Sequence, residues 1–174
     1  SITRKSSCFR NFKKYQIMRI LSDSEQNKIK ILTKNQISLA LIEPTETGLK
    51  KSIMDATGPV RNFLKENNIH DYDLQQQGPE HKIIINANIY ADFTITSSNA
   101  SLYRPITKKG DPRIWFSGLT KFAVPNDIVS IIFYNGEFHI FNLTQLNVEN
   151  LLSTTIHNPF KELIAEISGN AIKI

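Results

Sequence analysis

The sequence contains a single cysteine, Cys8, among its 174 residues. One thiol excludes an internal disulfide and any zinc site built from several cysteines, and it fits a reducing compartment. Cys8 lies in a polar terminal segment with no histidine near it in the sequence. The residues therefore give no support to a nucleophilic role for Cys8.

Long hydrophobic runs are also missing. No stretch reaches the length of a transmembrane helix, and no apolar segment of a secretory signal follows the basic N-terminal residues. Residues 1–35 could pass for a transit peptide, but a basic arm, a docked extension or a start-site artefact explains them better. We expect no membrane partner and a cytoplasmic location.

Most catalytic motifs are absent as well. The sequence has no Gly-rich phosphate loop, nucleophile elbow or dinucleotide fingerprint. His139 lies in the middle of a predicted strand, where we expect a satisfied or surface histidine. The histidines show no metal-ligand spacing; they are His70, His81, His139 and His157.

One segment imitates a catalytic pattern. Asp71 or Asp73, followed by Glu80-His81-Lys82, resembles the acid and acid-x-lysine arrangement of metal-dependent nucleases. In such sites two carboxylates hold a hard cation and a lysine lies near the attacking water. These acids lie in a glutamine-rich loop, so we expect a solvated loop and no catalytic or metal-binding residue. An endonuclease using Asp73, Glu80 and Lys82 is the alternative.

The overall composition is that of one globular domain. Hydrophobic residues make up 40% and charged residues 21%, which excludes an intrinsically disordered chain. A length of 174 residues suits one domain with a sizeable core and is short for two. The net charge of +5 favours an anionic partner. The positive charge is concentrated near the N-terminus, where no acid precedes Asp23.

Ser101–Gly118 is the most informative segment, because four cations surround a Lys-Gly-Asp-Pro turn there. Gly110 and Pro112 are turn formers, which predicts that the cations lie at or beside the tip of a projecting loop. Such a loop suits a polyanion, since arginine and lysine bind phosphates and arginine also binds a guanine edge with two hydrogen bonds. Asp111 can accept from a cytosine amine. The four cations are Arg104, Lys108, Lys109 and Arg113.

Aromatic residues are interleaved with these cations. We expect Trp115 chiefly as a buried core anchor, with a contact to nucleic acid as the second interpretation. If Tyr103, Trp115 and Phe116 were exposed, they would form a stacking platform for unpaired bases. An RNA-binding module is therefore a further alternative.

Another basic element, Thr45–Lys51, comes earlier in the chain, directly after the first predicted strand. Its hydroxyl groups, its glycine and its two lysines suit phosphate contacts, although an ordinary strand-to-helix loop has the same composition. Two basic loops on one β scaffold could hold a duplex groove from both sides. The residues of this element that suit such contacts are Thr45, Thr47, Lys50 and Lys51.

The order of apolar runs predicts a mainly β fold with flanking helices, of mixed α+β class. Asn135-Gly136 between two β-rich runs is the clearest hairpin signal. The predicted strands are Gln36–Glu43, Lys82–Ala87, Ile89–Thr96, Asp127–Tyr134 and Glu137–Leu143, with Pro44–Gly48 as a loop after the first. Helices are predicted from near Pro59 to Asn67 and over Asn158–Ile167.

These features together resemble a known family. The first strand, the loop Pro44–Lys51, the block Tyr103–Gly118 and the hairpin Asp127–Leu143 resemble the N-terminal effector domain of EcoRII-type and MvaI-like restriction endonucleases. The resemblance covers roughly residues 36–145. It implies a pseudobarrel like that of plant B-three transcription factors, in which two arms grip double-stranded DNA. The polar, basic residues 1–35 depart from that pattern and are interpreted as an arm or docked extension, which leaves a domain over residues 36–174.

The resemblance further implies a monomeric, prokaryotic DNA-binding domain of a restriction-modification enzyme, without catalysis of its own. The nuclease domain would lie C-terminal to Ile174. The domain itself would need no cofactor, whereas the nuclease would use Mg²⁺. Arg104, Asp111 and Arg113 would read base edges. The other DNA-binding candidates are Thr45, Thr47, Lys50, Lys51, Thr107, Lys108, Lys109, Trp115 and Lys121, with the five lysines on phosphates.

Overall fold

The computed structural model describes residue 15 and residues 17–34, 38–90 and 95–146. Within these ranges the chain forms three α-helices and seven β-strands. In chain order they are α1 (Asp23–Lys34), β1 (Leu39–Ile42), α2 (Glu46–Lys51), β2 (Ile53–Asp55), α3 (Gly58–Glu66), β3 (Ile83–Tyr90), β4 (Ile95–Tyr103), β5 (Arg113–Phe116), β6 (Val129–Tyr134) and β7 (Glu137–Asn142). Among the described helices, none has the length and apolarity needed to cross a membrane.

The seven strands form one curled sheet in the order β1-β6-β7-β3-β4-β5-β2. Neighbouring strands are antiparallel except β3 and β7, which are parallel. The prediction of a mixed, mainly β fold is therefore confirmed. The curled half-barrel is compatible with a pseudobarrel.

The hairpin of β6 and β7 forms where Asn135-Gly136 predicts it. Both turn residues have positive φ, 55° at Asn135 and 81° at Gly136. A two-residue turn with φ positive at both positions matches the twist of the flanking strands. This prediction is confirmed.

Apolar side chains fill both faces of the sheet in its β1–β6–β7 half. Alternation along β1 sends Leu39 and Leu41 to one cluster and Ala40 and Ile42 to the other. Helix α1 packs on the first cluster, and α3 packs on the second. We call the face that α1 covers the outer face and the face that α3 covers the inner face. Strands β2 and β5 contribute no buried side chain to the described cluster beneath α1.

Helix α1 is docked by polar contacts as well as by its apolar side. Ser22 and Glu25 form a capping box: the Glu25 amide donates to Ser22 Oγ over 3.1 Å, and the Ser22 amide donates to Glu25 Oε1 over 2.8 Å. The buried Glu25 carboxylate also accepts from Arg19 and Thr144. Lys28 Nζ donates to the carbonyl of Leu143 over 2.8 Å.

Several predicted boundaries are wrong. The predicted loop Pro44–Gly48 runs into helix α2, which begins after Thr45, because the Thr45 hydroxyl accepts from the Gly48 amide and caps the helix. Ile53, which lies in none of the predicted strands, starts β2. That short strand exists because it pairs with β5, and the pairing is not visible in the local sequence. Helix α3 begins at Gly58 and contains Pro59 in its first turn, close to the prediction.

The central strands also differ from the prediction. Instead of ending near Ala87, β3 continues to Tyr90, and β4 runs from Ile95 to Tyr103, so the predicted strand Ile89–Thr96 begins in β3 and ends in β4. The reason is their pairing over eight positions, from Ile83 with Leu102 to Tyr90 with Ile95. Cys8 and the predicted helix Asn158–Ile167 lie outside the described residues.

Glu25 provides a test of how α1 is held. Burial raises the pKa of Glu25, but the hydrogen bonds from Arg19, Thr144 and the Ser22 amide outweigh it and lower the pKa from 4.5 to about 2. The stabilisation is complete above pH 4.5 and is lost as pH falls toward 2. It amounts to at most about 3 kcal/mol.

We therefore expect Glu25→Gln to lower the free energy of unfolding at pH 7 and to flatten its decline between pH 5 and pH 2, measured by urea denaturation. Glu46→Gln is the control, because its carboxylate is exposed and lies 3.7 Å from Lys50 Nζ. It should change stability by less than about 0.5 kcal/mol. Identical pH profiles for wild type and Glu25→Gln would contradict this role of Glu25.

Candidate nucleic-acid interface

Strand β5 divides its side chains between the two faces of the sheet. Ile114 and Phe116 are buried in the inner cluster, whereas Arg113 and Trp115 are half-buried on the outer face. The expectation that Trp115 is a buried core anchor is therefore wrong. The stacking platform is also corrected, because Phe116 is fully buried and has no face to offer a base.

The residues beside Arg113 and Trp115 are set by strand register. Arg113 lies opposite Tyr103 on β4 and opposite Asp55 on β2. Trp115 lies opposite Ser101 and Ile53 in the same two strands. Directly paired residues point to the same side of a sheet. We call the patch made by these six residues the β5 face.

The two basic segments lie at opposite ends of β5. The first basic loop (residues 43–52) joins the end of β5, since the Phe116 amide donates to the Ser52 carbonyl over 3.1 Å. The second basic loop (residues 104–112) joins its beginning, where the Ala56 amide donates to the Pro112 carbonyl over 3.0 Å. A strand of four residues separates the loops by about 13 Å.

The first basic loop consists mostly of α2. Thr47, Lys50 and Lys51 are exposed on it, and Lys50 Nζ lies 3.7 Å from Glu46 Oε1. Gly48 lets the helix approach β2, because a Cβ there would lie 2.6 Å from the Ile53 carbonyl oxygen.

The exposed Lys121 lies in a short turn, Leu119–Lys121, that contacts α2. Lys121 therefore adds a third lysine to this end of β5.

The second basic loop carries exposed Thr107, Lys108, Lys109 and Asp111. Its tip is a left-handed turn, with φ of 51° at Lys108, 57° at Lys109 and 70° at Gly110. Residues other than glycine, asparagine and aspartate rarely adopt such φ, so each lysine costs roughly 1–2 kcal/mol there. Non-glycine residues persist in this region only where their surroundings hold them.

Arg104 joins the beginning of this loop to its end by hydrogen bonds. Its Nε donates to the Gly110 carbonyl over 2.8 Å, and its Nη1 donates to the Gln75 carbonyl over 3.1 Å. Arg104 is half-buried between these acceptors. A base edge would have to compete with two backbone carbonyls for this guanidinium.

Arg113 has no such acceptors in the described part of the chain. Its side chain is only 18% exposed, and its Nε lies 3.7 Å from Asp55 Oδ1, which is too far for a hydrogen bond. Among the described residues its guanidinium has no hydrogen-bond acceptor, and its Nε is buried. The buried Nε is therefore an unsatisfied donor, which is unfavourable unless a ligand supplies an acceptor.

The nuclease-like residues do not form a compact site. Asp73 and Glu80 lie in separate short turns, Tyr72–Leu74 and Pro79–His81, and both are exposed, as is Lys82. The Glu80 carboxylate folds over Gly78 and lies 3.6 Å from His81 Nε2. Within the described residues no group of three or more His, Cys, Asp or Glu could hold a metal ion.

Two histidines are used inside the fold. His139 is buried on β7, where its Nδ1 lies 2.8 Å from the Tyr90 hydroxyl. His70 Nε2 lies 3.1 Å from the side-chain oxygen of Gln75. Burial lowers the pKa of both imidazoles, which favours their neutral forms.

Sequence reasoning missed the glutamines behind the second basic loop. Gln75 is buried and donates to the carbonyls of His81 and Leu102, and Gln77 Nε2 donates to the Lys109 carbonyl over 3.4 Å. A run of three glutamines in a polar segment was visible, but its contact with a loop about thirty residues later was not.

Comparison with known proteins returned no matching family model, no similar curated protein and no similar solved structure.

The two arginines should respond oppositely to replacement by methionine, which keeps most of the apolar length. Arg104→Met leaves two carbonyls without their donor, so we expect the free energy of unfolding to fall by about 1–3 kcal/mol. Arg113→Met removes a buried Nε donor without an acceptor and a long, exposed ion pair with Asp55, so stability should stay within about 0.5 kcal/mol of wild type or rise. Urea denaturation measures both, and equal losses would contradict the distinction.

Proposed function

We propose that this domain binds double-stranded DNA in a sequence-specific manner, as the effector or target-recognition domain of a restriction endonuclease. The observation that carries the proposal is the half-buried Arg113 guanidinium, which lacks a hydrogen-bond acceptor among the described residues and lies between two cationic loops. Binding sites are often stabilised only when the ligand arrives, so that function and stability conflict at such positions. A guanine edge or a phosphate would supply the acceptors that Arg113 lacks.

The spacing of the two basic loops supports a duplex as the ligand. They are about 13 Å apart along β5, close to the width of about 12 Å of the B-DNA major groove. Loops at this separation reach the phosphates on both sides of one groove while the β5 face lies toward the bases. This arrangement agrees with the two-armed pseudobarrel that the sequence resembles.

The geometry supports a division of roles among the candidates. Arg113 and Asp111 are the candidates for base edges, and Trp115 offers an apolar surface beside them. Arg104 holds the second basic loop closed, so we assign it a positioning role. The exposed hydroxyls of Thr47 and Thr107, and that of the capping residue Thr45, suit phosphate oxygens. The phosphate-binding lysines are Lys50, Lys51, Lys108, Lys109 and Lys121.

A duplex is favoured over single-stranded RNA. Recognition of unpaired bases relies on exposed aromatic faces, but Phe116 is buried and Trp115 is only half-exposed. A nuclease domain linked to this one would supply the cleavage chemistry with Mg²⁺. The domain described here would supply recognition.

Salt dependence tests the phosphate contacts. If all five lysines contact phosphates, the logarithm of the association constant should fall by about 4.5 for each tenfold rise in salt, since each contact contributes about 0.9. The measurement is fluorescence anisotropy of a labelled 24-base-pair duplex of random sequence. Single-stranded DNA and RNA of equal length are the comparison ligands. A flat salt response, or tighter binding of either single strand, would contradict duplex binding.

Substitutions at Arg113 and Lys108 should separate recognition of the base sequence from non-specific binding to phosphates. After a preferred site is selected from random duplexes, Arg113→Met should reduce the preference for it by about 5- to 150-fold while weak random binding persists. Lys108→Ala should weaken selected and random duplexes by the same factor. The reverse pattern would show that the phosphate-binding and base-reading residues are assigned the wrong way round.

A further inference from the structure

We infer that Gln75, Gln77 and Gly78 form a seat that positions the second basic loop for its ligand. The seat and the second basic loop are far apart in the sequence, yet backbone and side-chain atoms of both are in contact. The structural part of the inference stands on those contacts alone. Its consequence for DNA rests on the proposed function.

Hydrogen bonds join the seat to both ends of the loop. The Gly78 amide donates to the Arg104 carbonyl over 2.8 Å, which fixes the residue that starts the loop. Arg104 Nη1 returns to the Gln75 carbonyl, and its Nε holds the Gly110 carbonyl. Gln77 Nε2 reaches the Lys109 carbonyl. These hydrogen bonds therefore fix the backbone before and after Lys108.

The seat is itself fixed to the sheet. Gln75 Nε2 donates to the Leu102 carbonyl over 3.0 Å and to the His81 carbonyl over 2.8 Å. Leu102 lies on β4 and is fully buried. The loop therefore takes its position from the sheet core through Gln75, not only from its own two ends.

Gln77 and Gly110 also pack directly against each other. A Cβ at Gly110 would lie 2.6 Å from Cδ and Nε2 of Gln77 and 2.7 Å from its Cγ. Its φ of 70° favours glycine at Gly110, and the Gln77 side chain would have to move to admit a Cβ there. This close contact explains how an exposed loop tip keeps two lysines in left-handed conformations.

The expected consequence is that the seat aims Lys108 and Lys109 before the ligand arrives. A pre-ordered loop pays less ordering entropy on binding. Gln77→Ala removes the packing and the hydrogen bond to Lys109 but changes no charge. It is therefore a positioning variant, and any loss of phosphate contacts must come from geometry.

The rate of trypsin cleavage after Lys108 and Lys109 reports how firmly the seat holds the second basic loop, and the measurement needs no DNA. We expect Gln77→Ala to raise the cleavage rate in this loop by about tenfold under native conditions, while cleavage after Lys121 stays at the wild-type rate. Lys121 is the internal control, because global unfolding would accelerate both sites together. Gln76→Ala, at the neighbouring exposed glutamine, should leave both rates unchanged. Unchanged loop cleavage in Gln77→Ala, or equal acceleration at Lys121, would overturn the seat.

A double variant tests the packing itself. Gly110→Ala should accelerate loop cleavage strongly in the wild-type background and much less in the Gln77→Ala background, because the atoms that its methyl group meets are then absent. Gly136→Ala is the control for left-handed φ alone, since φ is 81° there and no atom lies within 4 Å of a Cβ. Effects that simply add would show that Gln77 and Gly110 do not pack.

DNA then tests the link to function. With the same random-sequence 24-base-pair duplex, Gln77→Ala should lower the salt slope by up to about 1.8, the share of two phosphate contacts. Gln76→Ala should keep the wild-type slope. An unchanged slope together with faster loop cleavage would overturn the positioning role while leaving the seat in place. If wild type binds no duplex at all, the proposed function fails, and the cleavage experiments still decide the seat.

Discussion

The pairing of β2 with β5 is the constraint on which the candidate interface depends. Three residue pairs, from Ile53 with Trp115 to Asp55 with Arg113, join two short strands at one edge of the sheet. This register places the first basic loop at one end of β5 and the second at the other. It also places Asp55 beside Arg113. A shift of one residue would turn Arg113 and Trp115 toward the inner cluster and bring Ile114 and Phe116 out to the surface.

The sheet is covered unequally. On the β1–β6–β7 half, α1 covers the outer face and is held there by the buried groups of Glu25 and Lys28. The described part of α1 does not extend its cluster to β2 or β5, whose outer side chains are polar or half-buried. Apolar packing on the outer face is thus confined, among the described residues, to one half of the sheet. The other half has side chains whose chemistry suits a ligand.

Two arginines in the same basic segment serve different purposes, and their surroundings explain why. Arg104 follows β4 directly and donates to two backbone carbonyls, so two of its donor groups are satisfied within the fold. Arg113 begins β5, where its outward direction is set by strand alternation and its neighbours offer only a distant carboxylate. Arg104 stabilises the loop, whereas Arg113 keeps a buried donor without a hydrogen-bond acceptor among the described residues. The left-handed lysines beside them show that this order is maintained against local backbone preference.

The sequence by itself determined the features that depend on local chemistry. Asn135-Gly136 specified its hairpin, Pro59 marked the start of α3, and alternating apolar runs gave the mainly β class. The concentration of cations in Ser101–Gly118 and Thr45–Lys51 also identified both basic loops. Only the tertiary structure decided which side of β5 faces outward, that Ile53 begins a strand, and that Gln75 and Gln77 support a loop roughly thirty residues away. These features arise from strand register and long-range packing, which local sequence does not encode because each requires a partner segment brought close by the rest of the fold.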